Sequence, residues 1–239
     1  MQLLKNSSTM FKSFMSIVLI TSLFAVGHSV SANGSETNNQ FMKAKATKIV
    51  QKRYKNISNL RYPQVSGLKS KTAEAKINIT LLDSIKKSYK EYLALENFKK
   101  DFNGSTYGPG PEDLYHKTTY SVKFNDGKIL SVLFKTDEFA AGARNHISLK
   151  SYNFNISSGK LISFDSIFST DKKRKNLVNY IKSYNKKYKK FPGTLSYNNI
   201  KSMSVFVYTN SGISLNFQEY TAYMSSDMPI IKIPKSIYK

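Results

Sequence analysis

The sequence predicts an α+β fold: a mainly antiparallel sheet with a three-stranded meander and two long helices packed against it. Apolar residues recur every three or four positions over residues 72–102 and again over 171–190, which is helical spacing. Between these stretches they alternate with polar residues on both sides of Asn125-Asp126-Gly127, the pattern of a β-hairpin. The order of strand, helix, three strands, helix, then two or three strands, with tight turns between neighbours, is that of α+β rather than α/β proteins.

Residues 47–62 mix Ile49, Val50, Tyr54, Ile57 and Leu60 with basic side chains until Tyr62-Pro63 breaks the run, a basic first strand. Ile77, Leu81, Ile85, Tyr89, Tyr92 and Phe98 then form the stripe of a helix that covers the sheet, and the turn residues of 104–111 (GSTYGPGP) end it. The hairpin carries Tyr120, Val122 and Phe124 on one arm and Leu130, Val132 and Phe134 on the other. After Ala140-Ala141-Gly142-Ala143 a third strand bears Tyr152, Phe154 and Ile156 and closes at Ser157-Ser158-Gly159-Lys160, which completes the meander. Ser169-Thr170-Asp171 supplies capping groups for the second helix, whose apolar side is Leu177, Ile181, Tyr184 and Tyr188 and which Pro192-Gly193 stops. Residues 203–208 and 213–217 read as strands around Thr209-Asn210-Ser211-Gly212, and residues 230–233 as a last one.

The N-terminus reads as an export signal over residues 1–32: Lys5 and Lys12, an apolar run at 14–27, then Val30-Ser31-Ala32 as a small-residue cleavage site. A run of about fourteen residues is short for a bilayer, which takes roughly 20, so cleavage is expected rather than a retained anchor, and a membrane becomes a partner only if the signal stays. Residues 33–44 are small and polar, a flexible leader. The remaining chain, 45–239, is one module or two interlocked subdomains at 45–110 and 111–239. Its core must form without disulfides or thiolate metal sites, because the sequence has no cysteine. The signal holds two of the 37 Lys and Arg and none of the 15 Asp and Glu, so export leaves a net charge of about +20. Such a field draws polyanions. For an exported protein these are anionic wall polymers, acidic glycans and phospholipid head groups, and no specific nucleic acid is expected as a partner.

The strongest local feature is 171–190 (DKKRKNLVNYIKSYNKKYKK), with nine basic residues in twenty: Lys172, Lys173, Arg174, Lys175, Lys182, Lys186, Lys187, Lys189 and Lys190. With Leu177, Ile181 and Tyr184 buried, Lys175, Lys182, Lys186 and Lys189 fall near one another on the outward side, a ridge suited to a phosphate-bearing polymer. The bland alternative is a solvated helix face. A catalytic site finds little support: His28 leaves with the signal, His116 and His146 have no metal-binding spacing and read as structural, and no phosphate loop, dinucleotide fingerprint or nucleophile elbow occurs. No metal or cofactor is expected. Glu112, Asp113, Asp137, Glu138 and Glu219 could pair as glycosidase carboxylates only if the fold brings them together, and Tyr107, Tyr115, Tyr220 and Tyr223 could stack on sugar rings only if exposed together.

A set of landmarks runs through the chain: Tyr62-Pro63 with Ile77-Asn78, Ala141-Gly142-Ala143-Arg144 before Tyr152-Asn153-Phe154, Ser158-Gly159-Lys160 leading to Phe164-Asp165-Ser166-Ile167-Phe168, and Phe217-Gln218-Glu219-Tyr220 followed by Ile231-Lys232-Ile233-Pro234. Together they resemble the exported domain shared by RsiV-type lysozyme-sensing anti-sigma factors and the non-catalytic N-terminal half of PdaC-type peptidoglycan deacetylases. The resemblance covers residues 45–239 and implies an α+β fold and a non-enzymatic role at the cell envelope. Two departures stand out: Arg144 replaces a usual His after the Gly-Ala turn, and Ser226-Asp227 lies where a Gly is usual before Pro229. Lysozyme binding, which the resemblance also implies, meets like-charge repulsion, because common lysozymes are cationic; Glu112-Asp113 and Asp137-Glu138 are the acidic clusters that could counter it. The expected function is therefore a secreted or wall-associated, non-catalytic binding module held by anionic wall polymers or peptidoglycan. A protein-binding sensor or inhibitor of lysozyme is the alternative, and a peptidoglycan-processing enzyme a further one.

Overall fold

The computed structural model describes residues 46–104, 108–193, 195–219 and 228–239. The export signal and leader lie outside them. The expected α+β class holds, with one change: the described residues form three separate antiparallel sheets rather than one. The first pairs β1 (Lys48–Arg53) with β2 (Arg61–Ser66), the second is the meander β3 (Tyr115–Asn125), β4 (Ile129–Phe139) and β5 (His146–Asn155), and the third is β6 (Ser204–Thr209), β7 (Gly212–Phe217) and β8 (Ile230–Pro234).

The expected first strand is in fact the two strands of a hairpin, and Tyr62-Pro63 does not end it. Pro63 sits within β2 opposite Gln51. A two-stranded sheet has an open edge on each strand, where a residue without an N–H is tolerated. Helix α1 (Lys71–Asp101) has the expected position, opened by the Ser70 hydroxyl, which accepts from Ala73 N at 3.1 Å. Ile77, Leu81 and Ile85 are fully buried, but Phe98, expected on the same stripe, is 46% exposed. Ser84 and Ser88 lie on the buried side instead. The hairpin turns at Asn125–Gly127, where Asp126 Oδ1 accepts from Lys128 N and Ile129 N. A bulge between Val122 and Phe124 shifts its register, so Val122 is exposed. A short α2 (Phe164–Ile167) precedes α3 (Asp171–Tyr188), and α4 (Tyr197–Met203), which the sequence pattern did not announce, follows it. Helix α3 ends at Tyr188, short of Pro192-Gly193, because Lys189 takes a left-handed conformation and the Asn185 amide closes on both Phe191 N and Phe191 O.

Two cores result. Leu60, Val65 and the α1 stripe pack on Leu130, Val132, Phe134 and Phe154 of the meander. Leu177 and Ile181 of α3 pack with Phe191, Phe217, Ile213, Leu215, Ile231 and Ile233 around the third sheet. The glycine of the Ser157–Lys160 turn is required by its surroundings: Gly159 has φ +69°, and a Cβ there would stand 2.7 Å from Ala73 O at the start of α1.

Since no strand ladder joins the three sheets, the joints are made largely by side chains. The Asn125 amide both accepts from Thr47 N (2.9 Å) and donates to Thr47 O (2.7 Å), tying the first sheet to the second. Asn78 of α1 does the same at Val65 N and O (2.8 and 3.0 Å), and Gln218 at Leu149 N and O (3.0 and 2.8 Å). An amide presents an acceptor and donors on one plane, as a neighbouring peptide group does, so each of these side chains stands in for a missing strand. On the opposite face of the meander, Asn153 Nδ2 donates to Phe206 O and Ser131 Oγ accepts from Tyr208 N, which seats β6.

Replacing Asn78 by Ala leaves two backbone groups of a buried residue unpaired. At roughly 1–3 kcal/mol per unsatisfied group, Asn78→Ala is expected to destabilise the module by about 2–6 kcal/mol in urea denaturation. Asn78→Asp should do no better, because its second oxygen faces Val65 O. An unchanged midpoint would show that the clamp contributes nothing.

Candidate functional site

Helix α3 is capped by Thr170 Oγ1, which accepts from Lys173 N, and is held down by Leu177 and Ile181. At about 100° per residue, Lys175, Lys182 and Lys186 fall in one narrow arc opposite those two buried residues. All three are exposed, as are Lys172, Lys187 and Lys189. Among the described residues, Lys172, Lys175, Lys182, Lys186 and Lys189 have no acidic partner. Lys182 and Lys186 also flank an open groove of about 330 Å³, completed by Asn185, Gly193 and Leu195.

The nine basic residues do not form one surface. Arg174 donates from Nε to Phe168 O, pairs with Asp171 at 3.8 Å and lies 5.1 Å from the centre of the Tyr197 ring, so it holds the α2–α4 region together. Lys173 and Lys190 are half-buried, Lys187 sits over the Tyr188 ring at 5.0 Å, and Lys189 is the helix cap. The other expected basic element, β1, belongs to a different layer. Its neighbour Lys55 lies 4.4 Å above the Tyr89 ring and donates to Tyr89 Oη at 3.1 Å, a bond that raises its affinity for a proton.

Of the candidate carboxylates, Glu112 is exposed, and the other four each have their own partners. Asp113 accepts from Gly110 N, while Asp137 accepts from Tyr115 Oη (3.0 Å) and Asn145 Nδ2 (2.8 Å). Glu138, one residue on and therefore on the other face of β4, accepts at 2.5 Å from His116 Nδ1. Glu219, whose side chain is only 2% exposed, accepts from Ile147 N at 2.8 Å and pairs with His146 (3.0 Å) and Arg144 (3.4 Å). Two of the sequence landmarks, the Gly-Ala-Arg turn and the Gln-Glu pair, thus meet in space at that carboxylate. Of the four tyrosines considered for sugar stacking, Tyr107, Tyr220 and Tyr223 lie outside the described residues, as do Ser226 and Asp227, and Tyr115 is committed to Asp137. Among the described residues, no three His, Asp or Glu side chains come together to hold a metal ion, and no helix is long and apolar enough to cross a membrane.

One cluster was invisible in the sequence. Strand register sets His116 opposite Glu138, Thr118 opposite Thr136, and Thr136 opposite Ser148, giving polar rows across the α1-facing side of the meander. Ser88 of α1 closes on them, with Oγ 2.7 Å from His116 Nε2 and 2.5 Å from Thr118 Oγ1, which is itself 2.9 Å from Thr136 Oγ1. His116 is buried, as a structural reading requires, with both ring nitrogens engaged. A cleft of about 40 Å³ opens beside Ser88, lined also by Ser84, Glu91, Thr118, Phe134, Thr136, Ser148 and Lys150. The residues meet from positions 28 and 22 apart, too far for any local pattern to announce them.

In fold the protein is similar to a solved protein of the DUF3298 family. A crystal structure of a DUF3298-family protein from Bacteroides fragilis superposes with a TM-score of 0.55 over 82% of this chain and 93% of that one, at 13% identity. A second, from Pseudomonas aeruginosa, gives 0.49 over 80% and 89%, at 12% identity. Within the module, residues 50–146 match the family described as Deacetylase PdaC. The PdaC side of the sequence resemblance is thereby found, and these matches do not extend to its RsiV side. No curated protein matches the chain. The PdaC match contains Ser88, His116 and Glu138; α3 lies beyond it.

Acid stability provides a check on the carboxylate partners. Burial pushes the Asp137 carboxyl up, but hydrogen bonds from Asn145 and Tyr115 and the nearby Lys135 charge outweigh it and hold the group below its ordinary 3.8. A carboxylate lowered by folding stabilises fully above its unfolded value, and that contribution is lost as pH falls through the folded one. Denaturation midpoints measured from about pH 5 down to pH 2 should therefore fall less steeply in Asp137→Asn than in the parent; equal slopes would remove Asp137 from the account.

Proposed function

We propose that this chain is a secreted, envelope-associated binding module held by anionic wall polymers through the outward face of α3. The observation that carries the reading is the set of exposed lysines at 175, 182 and 186, in line and without acidic partners, beside the groove at Lys182 and Lys186. Helix stability does not account for this charge. Lys186 and Lys187 in the last turn complement the helix dipole, but Lys172 and Lys173 in the first turn oppose it, and like charges four residues apart cost the helix a few tenths of a kcal/mol. A polyanion with repeating phosphates would relieve that repulsion along the whole face. Similarity to the PdaC family description fits an envelope setting, and the export signal read at residues 1–32 supplies the route.

The test is binding to purified cell walls with and without their anionic polymer. An exposed ion pair is worth about 0.2–1 kcal/mol, so removing three by Lys175→Ala, Lys182→Ala and Lys186→Ala together should weaken binding about tenfold. The same change at the exposed Lys76, Lys87 and Lys90 of α1, which removes equal charge elsewhere, should weaken it far less. Equal losses from the two triple variants, or binding that survives both polymer removal and high salt, would contradict the reading.

A further inference from the structure

We propose that Ser88 is an acyl-accepting nucleophile, with His116 as its general base and Glu138 as the residue that positions the imidazole, acting on small acyl esters that enter the cleft beside it. The direction of each hydrogen bond follows from chemistry. A carboxylate accepts, so the proton on the His116 ring lies on Nδ1 and points at Glu138 Oε2, 2.5 Å away. In the neutral ring Nε2 is then an acceptor, and the group 2.7 Å from it, Ser88 Oγ, must donate. Since that proton is committed, the 2.5 Å contact between Ser88 and Thr118 is a donation from Thr118 Oγ1, which in turn accepts from Thr136 at 2.9 Å. The chain is therefore polarised from Thr136 to Glu138, and Ser88 Oγ both gives its proton toward a base and receives a hydrogen bond that favours negative charge on oxygen. Nucleophile, base and orienting carboxylate within hydrogen-bond reach of one another form the arrangement that activates a serine hydroxyl.

Access comes from the cleft, since Ser88, Thr118 and Thr136 line it while His116 lies behind Ser88. Glu91, 55% exposed, also lines the cleft and stands 3.9 Å from His116 Nε2, which marks the side from which a leaving group reaches that nitrogen. A cleft of about 40 Å³ has room for only a few heavy atoms, so the acyl part is acetyl-sized while the alcohol part stays outside. Ser148 and Lys150 line the same cleft and are the donors available to the charge developing on the acyl oxygen. In the first step the Ser88 Oγ to acyl carbon bond forms as the Oγ proton passes to His116 Nε2. The carbon–oxygen bond to the alcohol then breaks, and the alcohol leaves with that proton. Water attacks the acyl-serine, its proton going to Nε2 and then back to Ser88 Oγ, which releases the carboxylic acid. No other reactant is consumed. Nothing in α3 takes part, so this activity and wall binding succeed or fail separately.

The probe is p-nitrophenyl acetate with the full chain, followed by peptide mapping. Exposed lysines will also be acetylated, but as amides, whereas an ester at Ser88 is removed by hydroxylamine. The expected result is a hydroxylamine-labile acetyl group located on Ser88 itself by fragmentation of its peptide, because an acetylated Tyr89 beside it would be hydroxylamine-labile too. The rate of ester formation at Ser88 should fall about 100-fold in His116→Gln and stay unchanged in the exposed Lys128→Ala. Should His116→Gln fail to fold, Glu138→Gln supplies the comparison at a carboxylate that is 33% exposed, with thermal unfolding as the check on structure and Glu138→Asp expected to restore part of the rate. No ester at Ser88 in the parent chain, or an ester that forms equally fast in the folded variants, overturns the proposal.

Discussion

Side-chain amides hold this module together where strand ladders do not. Its three sheets have two, three and three strands, and no ladder crosses between them. Asn125, Asn78 and Gln218 each grip one residue by both its N–H and its C=O, at Thr47, Val65 and Leu149, and Asn153 and Ser131 seat β6 on the meander. A chain without cysteine cannot staple its layers covalently. Apolar burial supplies the bulk of the attraction between layers, but it is nondirectional, and the amide clamps fix the register in which the layers meet. They also cover the outer edge of β5, where Gln218 and Glu219 occupy Leu149 and Ile147 backbone groups that would otherwise be open to pairing with another chain.

This construction explains why the two sites lie where they do. The α1-facing side of the meander changes character along its length, from Leu130, Val132 and Phe134 at one end to Thr118, Thr136, His116 and Glu138 at the other. Helix α1 follows the change with Ile77, Leu81 and Ile85, then Ser84 and Ser88. A helix packed on a sheet can bury a polar row only if each member finds a partner, and among the described residues no buried side-chain nitrogen or oxygen is left without one. Helix α3 has the opposite assignment. It rests on a wholly apolar core through Leu177 and Ile181, which leaves its other side free to carry charge with no structural duty.

Much of the architecture was legible in the sequence because it rests on periodicity. The α1 stripe, the Asn-Asp-Gly hairpin, the third meander strand and the Thr170 cap of α3 all appear where spacing and capping chemistry place them. What escaped depends on tertiary placement. Pro63 reads as a breaker until the strand that holds it is seen to lie in a two-stranded sheet. Asn78 and Gln218 stood in the sequence only as parts of landmark motifs and Asn125 as part of a turn, because nothing local distinguishes an amide that grips a distant backbone from one that meets water. The basic surface of α3 was legible as a composition, although Arg174 turned out to serve packing. The Ser88, His116 and Glu138 cluster was not legible, since a nucleophile, a base and a carboxylate on three elements become neighbours only once helix and strand register are fixed.

Between the layers, side-chain groups replace strand partners. Amide hydrogen exchange of the folded protein measures this residue by residue. Val65, Thr47, Ile147, Leu149 and Tyr208 donate to side-chain oxygens rather than to a strand, and the account predicts protection comparable to that of the ladder amides in β4. Exchange at these five positions at the rate of an unprotected sheet edge, with β4 still protected, would contradict it.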